Sequence, residues 1–135
     1  MGKINWPRVF LCGLITALVY TLLSIVILTF LGSELATAVP KTAAPSRLLL
    51  LYSIGIASAM GVWAMWLYAA IRPRYGPGPK TAVIAGGAWW LMYCLSKANW
   101  GPYGLVSTRA LVVMMVAFLP ALIVATLVGA RYYEE

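Results

Sequence analysis

The 135-residue sequence contains no histidine and no aspartate, and its acidic residues are Glu34, Glu134 and Glu135. Haem ligation by histidine, histidine-metal sites and Ser-His-Asp catalysis all require histidine, so these centres are excluded. Proton relays and ion carriers in membranes depend on buried ionisable side chains, and the three glutamates lie outside the apolar runs of the chain. We therefore expect no enzyme activity, no catalytic residue, no metal site and no intrinsic cofactor.

Cysteine is scarce, with Cys12 and Cys94 alone, and neither belongs to a CxxC motif. In the topology derived below they lie near opposite faces of the membrane, too far apart for a disulfide. We expect both to be small packing residues.

Charged residues make up 10% of the chain and hydrophobic residues 63%, with a mean hydropathy of +0.90. One soluble core of this size cannot bury that much apolar surface, whereas a bilayer can surround it. Four charge-free runs predict an all-α polytopic membrane protein, with residues 1–135 forming a single domain. The third run is the shortest, and it spans only if Lys80 and Lys97 extend toward the headgroups. The four predicted transmembrane helices cover about residues 9–31, 48–71, 80–98 and 109–130.

Basic residues flank these helices unequally. Short loops near helix ends follow the positive-inside rule, so the larger set predicts that both termini are cytoplasmic. The net charge of +7 indicates binding to anionic lipid headgroups, with Arg72, Arg74 and Lys80 as the contacts. The sequence has no basic helix face or base-stacking platform, which excludes nucleic acid as a partner. The cytoplasmic set is Lys3, Arg8, Arg72, Arg74, Lys80 and Arg131, and the external set is Lys41, Arg47, Lys97 and Arg109.

The segment "WLYAAIRPRYGPGPKTA" (residues 66–82) combines prolines, glycines and cations between two apolar runs. A phosphate-binding loop of the Walker type needs glycine directly before its lysine, but Pro79 precedes Lys80 and a second proline stands two residues earlier. Proline has no backbone N–H to donate. We predict a cytoplasmic hairpin, in which Pro73 ends one helix and Gly78-Pro79 begins the next.

This hairpin, "NWPR" (residues 5–8) and "ATLVGARYYEE" (residues 125–135) together resemble a group of small four-helix bacterial inner-membrane proteins to which no activity is assigned. The resemblance is close over the hairpin, whose pattern is W-L-Y-A-A-I-R-P-R-[YF]-G-P-G-P-K-T, and loose elsewhere. It implies a location in the bacterial inner membrane and supplies no catalytic residue. The segment "NWGPYG" (residues 99–104) departs from the group, which leaves an external partner open.

Small residues recur at a spacing of four along three predicted helices. In lipid, small side chains matter because they let two helix backbones approach closely. We expect these seams to pack within the chain, with packing against another subunit as the alternative. Leu122, on the adjoining face of the fourth helix, is expected to face lipid. The seams are Gly13, Ala17 and Thr21; Ser53, Ala57 and Gly61; and Ala117, Ala121, Ala125 and Gly129.

Aromatic residues occur inside the second and third predicted helices, where the short hairpin brings them together. Such faces can hold a lipid, carotenoid or chlorophyll non-covalently, although a wall toward lipid or a neighbouring subunit is the commoner use. These residues are Trp63, Trp66, Trp89, Trp90 and Tyr93.

Two further features concern helix shape and polarity. Thr16, Tyr20 and Ser24 share one face of the first helix and are expected to hydrogen bond across helices. Pro120 deletes a backbone hydrogen bond near the middle of the fourth helix, which predicts a kink.

These patterns leave two hypotheses for function. The first is a non-catalytic structural or accessory subunit of a larger bacterial membrane complex, respiratory or photosynthetic, because the chain offers seams and aromatic walls without a reactive group. The second is a small oligomeric transporter or lipid-handling protein, with a pathway formed by the polar face of the first helix and the aromatic residues of the third around Pro120.

Overall fold

The computed structural model describes residues 4–35, 47–104 and 106–133, without the side chains of residues 33–35 and 49. Within these residues the chain forms four α-helices, which confirms the all-α prediction. They are α1 (Trp6–Leu35), α2 (Arg47–Tyr75), α3 (Pro79–Ala98) and α4 (Thr108–Arg131).

Three of the helices are long and apolar enough to cross a membrane, namely α1, α2 and α4. At a rise of about 1.5 Å per residue, α1 and α2 are each on the order of 45 Å long, more than the hydrocarbon layer requires. α1 extends about one turn beyond its predicted bounds at both ends, and α2 extends about one turn beyond its predicted C-terminal end. The remaining predicted span, over residues 80–98, coincides with α3. This helix does not reach the level of hydropathy that the other three share.

The prediction that Pro73 ends α2 is wrong, because the helix continues through Pro73 to Tyr75. The residue that ends it is Gly76, whose φ of +84° is readily adopted only by glycine. Its N–H donates to the carbonyl of Arg72 at 2.8 Å, which completes the last turn. Pro73 removes one donor near a helix end and is tolerated there.

The beginnings of α3 and α4 follow from local chemistry. Gly78 precedes α3 with a φ of +133°, and Pro79 occupies the first turn, where its missing N–H costs nothing. Ser107 caps α4 by accepting a hydrogen bond from the N–H of Ala110 at 3.3 Å. α4 remains helical through Pro120.

The helices form an antiparallel arrangement in which both described chain ends meet. α1 packs against α2 and α4, and α3 packs against α4 and α2. The backbone N–H of Asn5 donates to the hydroxyl of Tyr133 at 3.4 Å, so the start of α1 lies beside the end of α4. We call this the hairpin end, since it also holds residues 72–80, and the opposite end the loop end.

Burial differs sharply between the two halves of the bundle. The hairpin half comprises residues 4–20, 61–89 and 121–133, and it contains almost all of the buried positions. Among the described residues of the loop half, the buried ones are Val106, Ala110 and Phe118. The bundle is therefore closed on the hairpin side and open on the loop side.

Candidate functional site

A cavity of about 510 Å³ lies at the hairpin end, between α2, the start of α3 and the end of α4. Its polar wall includes Arg72 and Arg131, and its apolar wall includes Ala82, Leu127 and Val128. The turn residues 77–79 close one side. Two cationic side chains, Arg72 and Arg131, therefore border this recess in the surface.

Two buried tyrosines also line this cavity. Tyr68 of α2 contacts Tyr133 edge to face, with ring centroids 5.8 Å apart. The hydroxyl of Tyr68 accepts a hydrogen bond from the N–H of Gly78 at 3.4 Å, which ties the turn to α2. The guanidinium carbon of Arg72 lies 5.4 Å from the centre of the Tyr133 ring, a cation–π distance. These contacts hold Arg72 beside the cavity.

The other cations assigned to lipid headgroups lie outside the cavity wall. Arg74 and Lys80 are exposed, and the Arg74 guanidinium carbon lies 5.9 Å from the ring centre of Tyr75. Thr81 is buried, and its hydroxyl donates to the carbonyl of Gly76 at 2.6 Å. Lys3 and Lys41 lie outside the described residues.

The first two seams meet where α1 crosses α2. A Cβ placed on Gly61 would overlap the carbonyl oxygen of Gly13 and lie 2.9 Å from Cβ of Ala17. A Cβ on Gly13 would lie 2.5 Å from Cα of Val62. The backbones therefore touch at a point that only glycine permits. Farther along α2, Ala57 is half-buried and Ser53 is exposed.

The third seam runs along α4 inside the same chain. Ala121, Ala125 and Gly129 are buried, and Ala117 is half-buried. A Cβ on Gly129 would overlap Oγ1 of Thr16 and lie 2.9 Å from Sδ of Met65. Gly86 of α3 approaches α4 as well, because a Cβ there would lie 2.9 Å from Cα of Ile123.

The prediction that Leu122 faces lipid is wrong, since its side chain is 1% exposed. α4 packs against α1 on one side and α3 on another, so its buried surface is wider than one seam. A residue adjoining the small-residue face consequently falls into the core.

The aromatic residues separate into two groups. Trp89, Trp90 and Tyr93 of α3 pack with Tyr20 of α1 and Phe118 of α4, while Trp63 packs at the margin. The ring centroids of Tyr20 and Trp89 are 5.2 Å apart, and those of Tyr93 and Phe118 are 5.3 Å apart. The indole N–H of Trp90 donates to the carbonyl of Met115 at 2.8 Å. The centre of the bundle is thus filled by rings.

Trp66 lies apart from that cluster, on the outer surface of α2. Together with Trp63 it lines an open groove of about 540 Å³ between α1 and α2. The α1 side of the groove is formed by Trp6, Phe10 and Leu14.

The polar face of α1 does not hydrogen bond across helices in the contacts described. The hydroxyl of Thr16 donates to the carbonyl of Cys12 at 2.9 Å, and that of Ser24 donates to the carbonyl of Tyr20 at 2.7 Å. A hydroxyl four residues after a carbonyl on the same helix finds it at bonding distance without any partner helix. Cys12 is buried, Cys94 is half-buried, and both are free thiols.

Sequence reasoning missed Tyr68 and Tyr133 as parts of one site, and it missed Phe118 as part of the aromatic centre. Tyr68 lies in the second predicted helix, before the proline-glycine turn, and Tyr133 lies in "ARYYEE" after the fourth. Their contact joins residues 65 positions apart, which no local pattern reveals.

Comparisons with known proteins add nothing to this description: no family model, no curated protein and no solved structure matches the chain.

Proposed function

We propose that this chain is a non-catalytic subunit of a larger membrane complex in the bacterial inner membrane. The observation that carries the proposal is the open loop half, above all the first half of α2. The described side chains of residues 47–56 are exposed on every side of the helix. Its apolar residues include Leu48, Leu51 and Tyr52, each more than 60% exposed.

Lipid alone accounts for bulky exposed side chains, but it does not account for Gly55. A glycine inside a helix costs about 1 kcal/mol relative to alanine. At Gly61 and Gly129 the cost is offset by close packing, whereas a Cβ on Gly55 would have no atom within 4 Å. Small residues in membrane helices mark close helix contacts, so a helix from another chain is a fitting neighbour for this surface.

The proposal includes α3 as a fourth span. α2 and α4 both end at the hairpin end, so the chain between them must return to the loop end if both cross the membrane. α3 is the helix in that position, and its 20 residues extend about 30 Å, the thickness of the hydrocarbon layer. Its hydropathy is lowered by Lys80 and Lys97 at its two ends and by the aromatic residues Trp89, Trp90 and Tyr93, which pack inside the bundle.

Lys97, in the last turn of α3, supports the same placement. Its Nζ lies 3.5 Å from the ring centre of Trp100 and 5.8 Å from that of Tyr93. Lysine and tryptophan side chains commonly occupy the headgroup region at the end of a span.

We further propose that both termini and the hairpin face the cytoplasm, as the basic residues indicate. Single cysteines at Ala43, which lies outside the described residues, and at exposed Tyr75 test this in a background lacking Cys12 and Cys94. An impermeant thiol reagent applied to intact cells should label the first and spare the second. Labelling at position 75 would reverse the orientation.

Purification in mild detergent followed by mass spectrometry tests the subunit proposal. We expect the chain to co-purify in fixed stoichiometry with larger membrane proteins, and Gly55→Leu to lose them. Ala70→Leu is the control, because it adds a leucine at an exposed position of the same helix but in the closed half. A wild-type chain that purifies alone contradicts the proposal.

The second candidate is the handling of a hydrophobic ligand, and the groove beside Trp63 and Trp66 favours it. The bundle interior argues against the predicted transport pathway, since Tyr20, Trp89 and Tyr93 pack together there with Phe118. A homo-oligomer that retains a lipid or pigment through purification would support this candidate over the first.

A further inference from the structure

We propose that the cavity at the hairpin end binds the phosphate group of an anionic phospholipid, with its polar wall on the headgroup and its apolar wall on the first part of an acyl chain. This inference rests on the membrane location of the chain and is independent of any partner subunit.

The charge at this end of the bundle is uniformly positive among the described side chains. Arg72 and Arg131 line the cavity, while Arg8, Arg74 and Lys80 lie at the same end of the bundle. No acidic side chain is described at this end. A phosphate here is attracted by the whole set, and the planar guanidinium of arginine can bind two of its oxygens at once.

Arg72 is positioned before any ligand arrives. Its cation–π contact with Tyr133 restrains the guanidinium, and Tyr133 is itself held by Tyr68 and by the N–H of Asn5. A side chain that is already ordered loses less conformational freedom on binding, which increases affinity without a further contact. The hydroxyl of Tyr68, which accepts from Gly78, also carries a hydrogen that it can donate to a phosphate oxygen.

The shape of the cavity favours an amphiphile over a free anion. Beside the arginines, the half-buried side chains of Leu127 and Val128 form the accessible part of the apolar wall, on α4. A free phosphate gains nothing from contact with that apolar wall, whereas the glycerol and upper acyl carbons of a phospholipid would bury it. α2 and α4 both end here, at the depth where lipid phosphates lie if these helices span the membrane.

Titration with dioleoyl phosphatidylglycerol in dodecyl maltoside, read by native mass spectrometry, tests the site. We expect one tightly bound lipid per chain and clearly weaker binding of dioleoyl phosphatidylcholine, whose choline group brings a further positive charge to a positive surface. Arg72→Gln and Arg131→Gln should each reduce affinity about tenfold, the effect of losing a hydrogen bond to a charged group.

The matched control is Arg74→Gln, which removes the same charge two residues away from Arg72 but outside the cavity wall. We expect it to reduce affinity about twofold, as for an exposed charge. Arg72→Lys should fall between the wild type and Arg72→Gln, because lysine keeps the charge and loses the planar fork. Thermal melting in detergent verifies that each variant is folded. Equal effects of Arg72→Gln and Arg74→Gln would overturn the site.

Two further arms identify the ligand and exclude a competitor. Inorganic phosphate should fail to displace the lipid at equal concentration, and displacement would refute the lipid as the source of the phosphate. Glu134 and Glu135 follow Tyr133 in the sequence and lie outside the described residues. If phosphatidylglycerol bound only after Glu134→Gln and Glu135→Gln, the cavity would belong to the chain's own carboxylates and the proposal would fail.

Discussion

The hairpin half and the loop half of the bundle are built from the same four helices, yet one is closed and the other open. In the closed half, glycines at positions 13, 61, 86 and 129 let backbones approach to contact. In the open half, a Cβ on Gly32 or Gly55 would have no atom within 4 Å, and the first half of α2 carries exposed leucines and isoleucines. Because lipid is as apolar as leucine, hydrophobicity does not draw these helices together. The difference indicates that backbone approach, set by residue size, decides where this bundle closes.

We expect the largest difference in stability between substitutions at two glycines of α2. Gly61→Ala should destabilise the protein by about 1 to 3 kcal/mol, because the new methyl group overlaps the Gly13 carbonyl and the helices must separate. Gly55→Ala should be neutral or stabilising by up to about 1 kcal/mol, since alanine is the better helix former and the site is open. Thermal unfolding in detergent measures both. Equal melting temperatures for the two variants would show that the crossing is looser than described.

We expect an intermediate difference in stability between substitutions at two leucines, one buried and one exposed. Leu122→Ala leaves a cavity in the core and should cost about 1 to 2 kcal/mol, from the cavity alone, since transfer between lipid and protein contributes little. Leu51→Ala, at a side chain that is 66% exposed, should change the isolated protein by less than about 0.5 kcal/mol. The same unfolding assay applies. A large loss at Leu51 in the purified chain would mean that the loop half is covered by the chain itself.

The smallest expected effect concerns the junction of the chain ends. Tyr133→Phe keeps the ring that contacts Arg72 and removes the hydroxyl that accepts from Asn5 at 3.4 Å. At that length we expect a cost of about 0.5 kcal/mol, at the low end for a neutral hydrogen bond. Hydrogen exchange at the amide of Asn5 should accelerate in the variant. Unchanged exchange there would indicate that the two ends are held by packing instead.

Sequence patterns predicted the helices well because charge-free runs and helix-end residues act locally. α4 begins and ends within one residue of its predicted bounds, and Pro79 starts α3 as its fixed φ requires. The predicted end of α2 is wrong because proline breaks a helix in its interior, whereas near the end of a helix it removes only one hydrogen-bond donor. The glycine at position 76 is the stronger sequence signal, because glycine readily adopts the positive φ that ends the helix there.

The contacts that form the candidate sites were harder to predict, because they depend on the relative rotation of helices. Five aromatic residues on the second and third helices were expected to gather, yet Trp66 lies in an outer groove while Tyr20 and Phe118 enter from other helices. A spacing of four identifies a face of a helix but not its partner. Leu122 shows the same limit, since α4 buries a second face that its small residues do not mark.

The hydrogen bond between Asn5 and Tyr133 gives the bundle a nearly circular chain path. A short linker between Asn5 and Tyr133 would close the described helices into a ring without displacing any of them. New ends can then be opened in the turn over residues 99–104, where Pro102, Tyr103 and Gly104 are exposed. The order in which the four helices follow one another along the chain is therefore separable, by circular permutation, from the arrangement that they reach.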